Sequence, residues 1–495
     1  MKKLMIKTVA ALSMTLSLTA CGDSWLETDF YDGLEQESAL NTPSHVEFAL
    51  NGAYRQLMYY CFAGNYSTMI GDIASDLTYQ LSSASYSHFR TLNRFTYTAN
   101  DTYLLYIWQY GYEVIDDAAR VIEACELLYP TAEQEELPLL KRYEAEARCL
   151  RAYSSLVLAN VFCHQVKVAG QDYSSMPGIV LVDKPIKPFE TVSRSTIGET
   201  YRQITSDLLT AIGLFENYDY DYYMLDGSHF NVYYFNEESA YGLLARAYTY
   251  LEQWDEAAEA AENAISISGI YQLAYDDLDY EDLYSGDTTN WESMLALAIN
   301  DQDNWSANSC GTLFTTYRWM CSPYLYNLYG SEDCRLSIMT WYSPWNYFWG
   351  GKFNFGYGNS AYATNYLINA PEMYLIQAEA YANMNQIEDA QSSLFVVAHR
   401  NAAIETPEDL PSTQSGILSF LKEERARELF QEGHRLWDLR RWGEPANLYA
   451  TSAPQVGYRY TNVNVSDIVF PIPADEINAG YGVTQNENWA STRPQ

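Results

Sequence analysis

Aromatic residues are concentrated in one part of the sequence. Eleven of the 26 residues from 341 to 366 are Trp, Tyr or Phe, where the overall aromatic content of 15% predicts about four. Six of the 12 Trp residues fall between positions 291 and 349. Flat aromatic faces pack against the apolar C–H faces of sugar rings, and an aromatic side chain loses little entropy when it is fixed. This composition predicts a carbohydrate-binding surface.

The candidate ligand-binding residues are mostly tryptophans of this region. Neighbouring amides, Asn304, Asn308, Asn346 and Asn354, could hydrogen-bond to sugar hydroxyls. For any single Trp, simple packing inside a helix-poor lobe remains the alternative interpretation. The candidates are Trp291, Trp305, Trp319, Tyr324, Trp341, Trp345 and Trp349.

The charge of the chain restricts its partners. The sequence carries 64 Asp and Glu against 29 Lys and Arg, a formal net charge of −35. Nucleic acid is bound by clustered basic residues, and the one basic run here is Lys2, Lys3 and Lys7 at the N-terminus. The negative field also repels sulfated or uronate polymers at long range, although a local basic pocket could override it. A neutral oligosaccharide is therefore the predicted ligand, and nucleic acid is not.

The N-terminus has the parts of an export signal. Three lysines precede a short apolar run that ends in Leu18-Thr19-Ala20-Cys21, which is typical of a bacterial lipoprotein cleavage site. We therefore expect residues 1–20 to be removed and Cys21 to be lipidated, with acyl chains anchoring a single domain of residues 21–495. An N-terminal helix with an incidental Cys is the alternative.

Seven further cysteines have no metal-binding spacing. None lies in a C-x-x-C pair, which gives no support for a zinc site. Cys125, Cys149 and Cys163 fall in helical patterns and are predicted to be buried. Export to an oxidising compartment makes a disulfide among Cys310, Cys321 and Cys334 a secondary expectation.

Two segments share a helix-pair pattern. Residues 237–268 and 372–397 each contain two stretches of helical periodicity joined by a short break. In both, twelve residues separate the small residue of the first helix from that of the second, which is the tetratricopeptide register. The equivalent pairs are Ala245 with Ala257 and Ala378 with Ala390.

The pattern predicts a mainly α-helical solenoid of about four units. The predicted units lie near residues 46–128, 141–163, 237–268 and 372–441. Residues 270–370 lack sustained helical periodicity and predict a large loop-rich lobe, for which function is the leading explanation. A helical bundle without repeats is the alternative.

Signatures of enzymes are absent from the sequence. It has no HExxH, GxSxG or Gly-rich phosphate loop, although 64 acids leave carboxylate-pair glycoside hydrolysis open. Asp276, Asp277, Asp279 and Asp282 could hold a structural Ca²⁺, but a solvated acidic loop explains them more simply. We expect no catalytic residue, no cofactor and no other metal.

Three segments together resemble one family. They are the lipoprotein site followed by GDSWLE, the segment EERARELFQEGHRLWDLRRWG at 423–443, and FPIPADEI at 470–477 with Gln485-Asn486 and Trp489 beyond it. These motifs are similar to those of the SusD/RagB family of Bacteroidetes surface lipoproteins. Within the middle segment, we expect the pairs Glu423 with Arg427 and Glu432 with Arg435 to support a helix, and Gly433 and Gly443 to end helices.

The resemblance implies a four-repeat helical scaffold on the outer face of the outer membrane. Such a protein delivers oligosaccharides to a SusC-like TonB-dependent transporter. The resemblance also implies Tyr79 and Tyr86, in the loop before the helix that contains Trp108, as secondary binding candidates. Because ligand contacts vary within the family, no contact residue follows from a motif. Two rival hypotheses remain, a protein-interaction scaffold that binds no glycan and a surface glycosidase.

Overall fold

The protein is mainly α-helical. A computed structural model describes residues 39–81, 86–216, 232–286, 290–342, 347–353, 359–452 and 455–494. The helices are α1 (Pro43–Met58), α2 (Tyr66–Ile73), α3 (Arg90–Asn93), α4 (Thr102–Leu128), α5 (Leu137–Phe162), α6 (Ile197–Phe215), α7 (Glu237–Leu251), α8 (Trp254–Ser268), α9 (Asp277–Leu283), α10 (Cys310–Thr315), α11 (Pro323–Leu328), α12 (Ala370–Asn383), α13 (Ile387–Ala398), α14 (Gln414–Glu428), α15 (Arg435–Trp442) and α16 (Ala474–Ala479).

The strands are short and antiparallel. They form a four-stranded sheet in the order β1-β5-β7-β6 and three two-stranded ribbons, β2-β3, β4-β8 and β9-β10. The strands are β1 (Thr78–Gln80), β2 (Lys167–Val168), β3 (Gln171–Asp172), β4 (Ser293–Ala296), β5 (Trp319–Cys321), β6 (Met339–Tyr342), β7 (Tyr347–Gly350), β8 (Tyr366–Asn369), β9 (Pro445–Ser452) and β10 (Gln455–Asn464).

Local sequence signals define where the long helices begin. Thr196 and Glu199 form a reciprocal capping box at the start of α6, and Asp101 accepts from the Tyr103 amide at the start of α4. Such caps satisfy backbone N–H groups that have no partner in the first turn.

The long helices stack in chain order into a solenoid. Helix α4 packs against α1 and α5, α5 against α6, α6 against α7, and α7 against α8; α12 packs against α8 and α13. Ala245, Ala257, Ala378 and Ala390 are fully buried, as the predicted close crossing of paired helices requires. The predicted mainly helical, tetratricopeptide-like fold is confirmed, and α6 is the partner of α5 that the periodicity did not identify.

The loop-rich lobe interrupts the solenoid between α8 and α12. It contains the short helices α9 to α11 and the strands β4 to β8, and it packs back onto α1 and α2. In one such contact, Asn65 Nδ2 donates to the Asn308 carbonyl oxygen at 2.7 Å. The four-stranded sheet belongs partly to this lobe and partly to β1, which lies near the first repeat.

Arginines and carboxylates form a buried ionic network that joins the lobe to the C-terminal helices. Arg335 in the lobe reaches α14, and Arg400, which follows α13, reaches both α14 and the lobe. The side chains of these two arginines and of their four carboxylate partners are almost completely buried. The ion pairs are Arg335 with Asp333 (2.8 Å), Glu424 (2.6 Å) and Glu428 (3.0 Å), and Arg400 with Glu292 (2.5 Å) and Glu428 (2.9 Å).

The two predicted local ion pairs of the 423–443 segment have different outcomes, because the first forms and distant partners replace the second. The Glu423–Arg427 pair is long, at 3.9 Å, and Glu424 lies closer to Arg427, at 2.7 Å. The prediction for Glu432 with Arg435 is wrong because both side chains are buried and turn to other elements. Glu432 pairs with Lys352 of the lobe, and Arg435 pairs with Asp76 at 2.9 Å.

The two predicted glycine helix stops differ. Gly443 caps α15 with a φ of +69° and confirms its prediction. Helix α14 already ends at Glu428, so Gly433 is not its stop. Gly433 has a φ of +81°, and a Cβ there would lie 1.7 Å from the Thr68 carbonyl oxygen, so a close backbone approach requires glycine.

Every cysteine from Cys61 to Cys334 is a buried free thiol. The expected disulfide among the three lobe cysteines is therefore wrong. Cys310 Sγ instead donates to the Gly64 carbonyl oxygen at 3.3 Å, and Cys321 and Cys334 lie in separate parts of the lobe core. Within the described ranges, no helix is both long enough and apolar enough to cross a bilayer.

Candidate functional site

A cluster of half-buried aromatic rings lies where the lobe meets the first repeat. The Tyr59 ring packs edge-on against Trp305, with centroids 4.9 Å apart, and stacks on Tyr110 of α4 at 4.8 Å and 28°. Tyr60 lies 6.0 Å from Trp305. We call Tyr59, Tyr60, Tyr110 and Trp305 the Trp305 cluster. Its partly exposed rings form the kind of surface on which a sugar can stack.

Backbone contacts fix the orientation of Trp305. Its indole Nε1 donates to the Met58 carbonyl oxygen at 2.8 Å. A Cβ at Gly64 would lie 2.9 Å from that same Nε1, so glycine leaves room for the indole. The Arg55 guanidinium lies 4.6 Å from the Trp305 ring centroid and pairs with exposed Asp303 at 2.9 Å. The ring is therefore preorganised, with a polar pair at its edge.

The Trp305 cluster continues into a second group of rings. Tyr66 contacts Tyr60 at 5.6 Å and Tyr103 at 4.7 Å, and Tyr103 stacks on Phe89 at 4.4 Å. The residue before Phe89 is His88, whose ring stacks on Tyr317 at 3.8 Å and 9°.

Tyr86 completes this second group. Its ring contacts Tyr317 edge-on at 4.8 Å and is 46% exposed. We call Tyr86, His88 and Tyr317 the His88 stack. Aromatic side chains thus extend from Trp305 to Tyr86, and the fully buried Phe89 supports the partly exposed rings on either side of it.

Two phenols of the cluster, Tyr60 and Tyr110, stay protonated near neutral pH because their pKa values are raised. Burial, together with Cys61 and Tyr59, raises the pKa of Tyr110 to about 12. Burial likewise raises the pKa of Tyr60. Neutral phenols both donate and accept hydrogen bonds, as sugar hydroxyls require.

Several predicted binding residues have structural roles instead. Trp319 and Tyr79 are each 1% exposed, so both predictions are wrong. They lie in the paired strands β5 and β1, where Tyr79 pairs with Met320 and Trp319 with Gln80. Trp349 packs with Tyr79, Met320 and Tyr449. The half-buried Tyr324 ring is tied by its hydroxyl, which accepts from Arg435 Nη2 at 3.1 Å.

The remaining candidates lie at different places on the lobe. Trp291 and Trp341 are 44% and 46% exposed, and neither is among the rings that contact Trp305. Thr340, not Trp341, pairs with Trp349 across the sheet, so Trp341 and Trp349 point to opposite faces. Asn304 and Asn308 adjoin Trp305 in the chain. Cys21, Trp345, Asn346 and Asn354 lie outside the described side chains.

The sequence-based prediction missed the tyrosines of the first repeat. Tyr103, Tyr106 and Tyr110 follow one another at helical spacing and occupy one face of α4. Tyr59 and Tyr60 directly follow α1. That spacing was a usable signal, because three tyrosines on one helix face must cover either a core or a surface.

A groove of about 600 Å³ lies along another face of α4. Its walls include Trp108, whose Nε1 donates to Glu476 Oε2 at 3.1 Å, and the carboxylates of Asp116 and Asp117. Burial and neighbouring Asp116 raise the pKa of Asp117 to about 6. This groove is acidic.

The acidic loop considered for Ca²⁺ has a structural role in α9. Asp276 Oδ1 accepts from the amides of Leu278 and Asp279, both at 3.0 Å, and so caps that helix. Within the described residues, no group of three or more His, Cys, Asp or Glu side chains is arranged to hold a metal ion.

These features define a class, a tetratricopeptide-like solenoid with an aromatic lobe inserted between its repeats. Comparison with known families then identifies the chain. The model of the SusD family matches residues 193–489, and a model described as starch-binding associating with the outer membrane matches residues 24–249. The chain belongs to the SusD family.

Solved structures share the fold. A candidate sugar-binding protein from Bacteroides vulgatus is 23% identical, with a TM-score of 0.78 over 91% of this chain and 100% of its own. A SusD superfamily protein from Bacteroides thetaiotaomicron is 21% identical, with a TM-score of 0.76 over 90% and 99%. A SusD-like carbohydrate-binding protein from B. vulgatus is 20% identical, with a TM-score of 0.71 over 92% and 98%. No curated protein matches the sequence.

Proposed function

We propose that this protein is a cell-surface lipoprotein that captures oligosaccharides without cleaving them. The observation that carries the proposal is the Trp305 cluster, a set of partly exposed, preorganised rings at the lobe. Stacking on such rings favours a ligand with flat apolar faces and a polar rim, which describes a sugar. The names of the family models and of the structural relatives support the same ligand class.

The charge favours a ligand that is neutral along most of its length. The net charge of −35 repels a polyanion on approach. The cluster itself offers phenols, the indole face and the Arg55–Asp303 pair, in which the two charges compensate each other. Binding there depends on stacking and neutral hydrogen bonds.

A non-catalytic role fits the carboxylate of Asp303 at the edge of the Trp305 ring. Retaining glycosidases need two carboxyl groups about 5 Å apart, and inverting glycosidases need them about 6.5–9.5 Å apart. In both classes the scissile bond of the sugar lies between the two carboxyl groups. Asp303 accepts two hydrogen bonds from Arg55, which holds it as an ion-paired carboxylate. Sustained release of reducing ends by the purified protein would contradict this part of the proposal.

Removal of single rings tests the binding site. We expect Trp305→Ala and Tyr59→Ala each to weaken binding of a glycan identified on an array by about tenfold or more, or ~1.4 kcal/mol. Trp291→Ala is the matched control, because Trp291 is exposed and its ring lies outside the cluster. Isothermal titration calorimetry measures the affinities, and thermal unfolding checks the fold. Unchanged affinity in both cluster variants would refute the assignment.

We also propose lipid anchoring through Cys21 and delivery of the bound sugar to a SusC-like TonB-dependent transporter. The export signal and the family membership support both. Purification from outer membranes should recover a transporter with the wild-type protein. A Cys21→Ser variant should lose membrane attachment and appear in the soluble fraction. Recovery of peptide ligands but no glycan would favour the protein-interaction alternative.

A further inference from the structure

Three arginines lie together next to the His88 stack, although the protein as a whole is strongly acidic. Arg90 and Arg94 are four residues apart at α3, and Arg459 lies on the β9-β10 hairpin. Arg94 and Arg459 are exposed. We call these three residues the arginine patch.

Direct contacts hold the two parts of the patch together. The Tyr460 hydroxyl donates to the Arg94 carbonyl oxygen at 3.1 Å, and the Tyr460 ring packs against Phe95. The Arg459 guanidinium lies 5.1 Å from the Tyr460 ring centroid. The hairpin therefore places Arg459 beside the end of α3.

The patch is continuous with the proposed sugar surface. Arg90 Nη2 donates to the Tyr86 carbonyl oxygen at 2.7 Å, and Arg90 Nε donates to Gln80 Oε1 at 3.0 Å. Tyr86 belongs to the His88 stack, so the patch begins directly beside these rings. Tyr458, which is 55% exposed, adds an aromatic face on the hairpin.

Two arginines of the patch, Arg94 and Arg459, have no carboxylate partner among the described residues, whereas thirteen other described arginines form ion pairs with carboxylates. The nearby carboxylate Asp101 accepts from Thr91 and caps α4. Burial and the like charges of Arg90 and Arg459 lower the pKa of Arg94. Within the described ranges, Arg194, Arg440 and Arg493 also lack a carboxylate partner, but their guanidinium groups donate to backbone carbonyl oxygens.

We propose that the arginine patch binds an acidic sugar residue, one that carries a carboxylate or a sulfate ester, within an otherwise neutral oligosaccharide. This inference rests on the proposed glycan-binding function. Guanidinium groups bind planar and tetrahedral oxyanions through paired N–H donors. The negative net charge does not prevent this, because salt screens it beyond ~8 Å at physiological ionic strength. The long-range field rejects polyanions, whereas the patch accepts a single anionic group.

Matched glycan pairs test the proposal. An array should contain oligosaccharides in neutral and acidic forms that share one backbone, for example xylo-oligosaccharides with and without a glucuronate branch and galacto-oligosaccharides with and without a sulfate ester. We expect the wild-type protein to prefer one acidic form by about tenfold or more, the range typical of charge-assisted hydrogen bonds. Comparison of the two arms distinguishes carboxylate from sulfate.

Charge-neutralising variants complete the test. Arg94→Gln with Arg459→Gln should abolish the preference and its salt dependence, while affinity for the neutral form changes less than about twofold. Arg202→Gln, an exposed arginine of α6, is the control and should keep the preference.

Three results would overturn the proposal. They are equal binding of neutral and acidic forms, a preference that survives the double variant, and wild-type binding to anionic phospholipid vesicles that the double variant loses while glycan binding stays unchanged. Loss of neutral-glycan binding on Trp305→Ala distinguishes a failure of the patch from a failure of the glycan site. Binding of no glycan at all would overturn both proposals.

Discussion

The buried ionic network and the arginine patch use the same side chain in opposite surroundings. In the network, Arg335 lies between Asp333, Glu424 and Glu428, all with side chains that are almost completely buried. In the patch, Arg94 and Arg459 lie at the surface, beside another arginine rather than a carboxylate. The first arrangement satisfies each charge within the chain, and the second leaves charge available for a partner.

This difference separates stability from binding. A buried charge without its partner costs several kcal/mol, so the carboxylates of the network must be present in the sequence. Exposed arginines are solvated by water and impose no such requirement. The network therefore joins the lobe to the repeats. The arginine patch, which stability does not require, is available to bind a ligand. Two predictions test this contrast, and a third concerns a buried histidine outside both sites.

The largest expected effect is on the network. Arg335→Ala leaves three buried carboxylates without their shared cation, and we expect the free energy of unfolding to fall by about 3–5 kcal/mol. Chemical denaturation followed by circular dichroism measures this change. The exposed Arg202→Ala should change stability by less than ~0.5 kcal/mol. A loss below 1 kcal/mol in Arg335→Ala would show that the network does not hold the lobe to the repeats.

The second prediction concerns pH. Burial lowers the pKa of His434 to about 4, although nearby Glu372 acts in the opposite direction. The unfolded chain takes up this proton near its ordinary pKa of about 6.5 and the folded chain does not, so stability is fully present above 6.5 and falls as the pH drops toward 4. The expected loss is roughly 3 kcal/mol at 1.36 kcal/mol per pKa unit.

The variant His434→Asn isolates this contribution. Asn has no titrating group, so the difference in unfolding free energy between wild type and variant should shift across pH 4–6.5 and stay constant above it. A pH-independent difference between the two proteins would contradict the assignment to His434.

The smallest expected effect has the opposite sign. Arg94→Ala removes a like-charge contact with Arg90 at an i, i+4 spacing, and we expect stability to rise by about 0.2–0.5 kcal/mol or to stay unchanged. Thermal unfolding at low salt measures the shift, which should shrink in 0.5 M salt as the repulsion is screened. A clear loss of stability would mean that Arg94 has a structural role and would weaken the contrast with Arg335.

The repeats were more predictable from sequence than the ligand surface. Helical periodicity and the Ala245–Ala257 spacing follow from local geometry, which a sequence contains directly. The exposure of a side chain does not follow from local geometry. Trp305 and Trp319 belong to the same aromatic-rich region, yet Trp305 is partly exposed and Trp319 is buried in a strand. Tertiary contacts decide which rings face solvent.

Long-range pairing explains the other differences. Glu432 and Arg435 have a favourable local spacing, but their partners Lys352 and Asp76 are far away in the sequence. The sequence analysis missed helix α6 as the partner of α5, because the two helices lack the twelve-residue spacing of small residues that marks the other pairs. The arginine patch likewise forms only when the hairpin folds onto α3, which a scan for basic runs cannot detect.

The buried thiols have a practical consequence for following the folding of this protein. Alkylating reagents attack the thiolate, and burial raises the pKa of Cys61 to about 11 and that of Cys334 to about 12. The described cysteines are distributed from the first repeat to the lobe, so modification by iodoacetamide reports local opening of each region. Mass spectrometry of the labelled peptides can then time the unfolding of the repeats and the lobe separately, without any engineered probe.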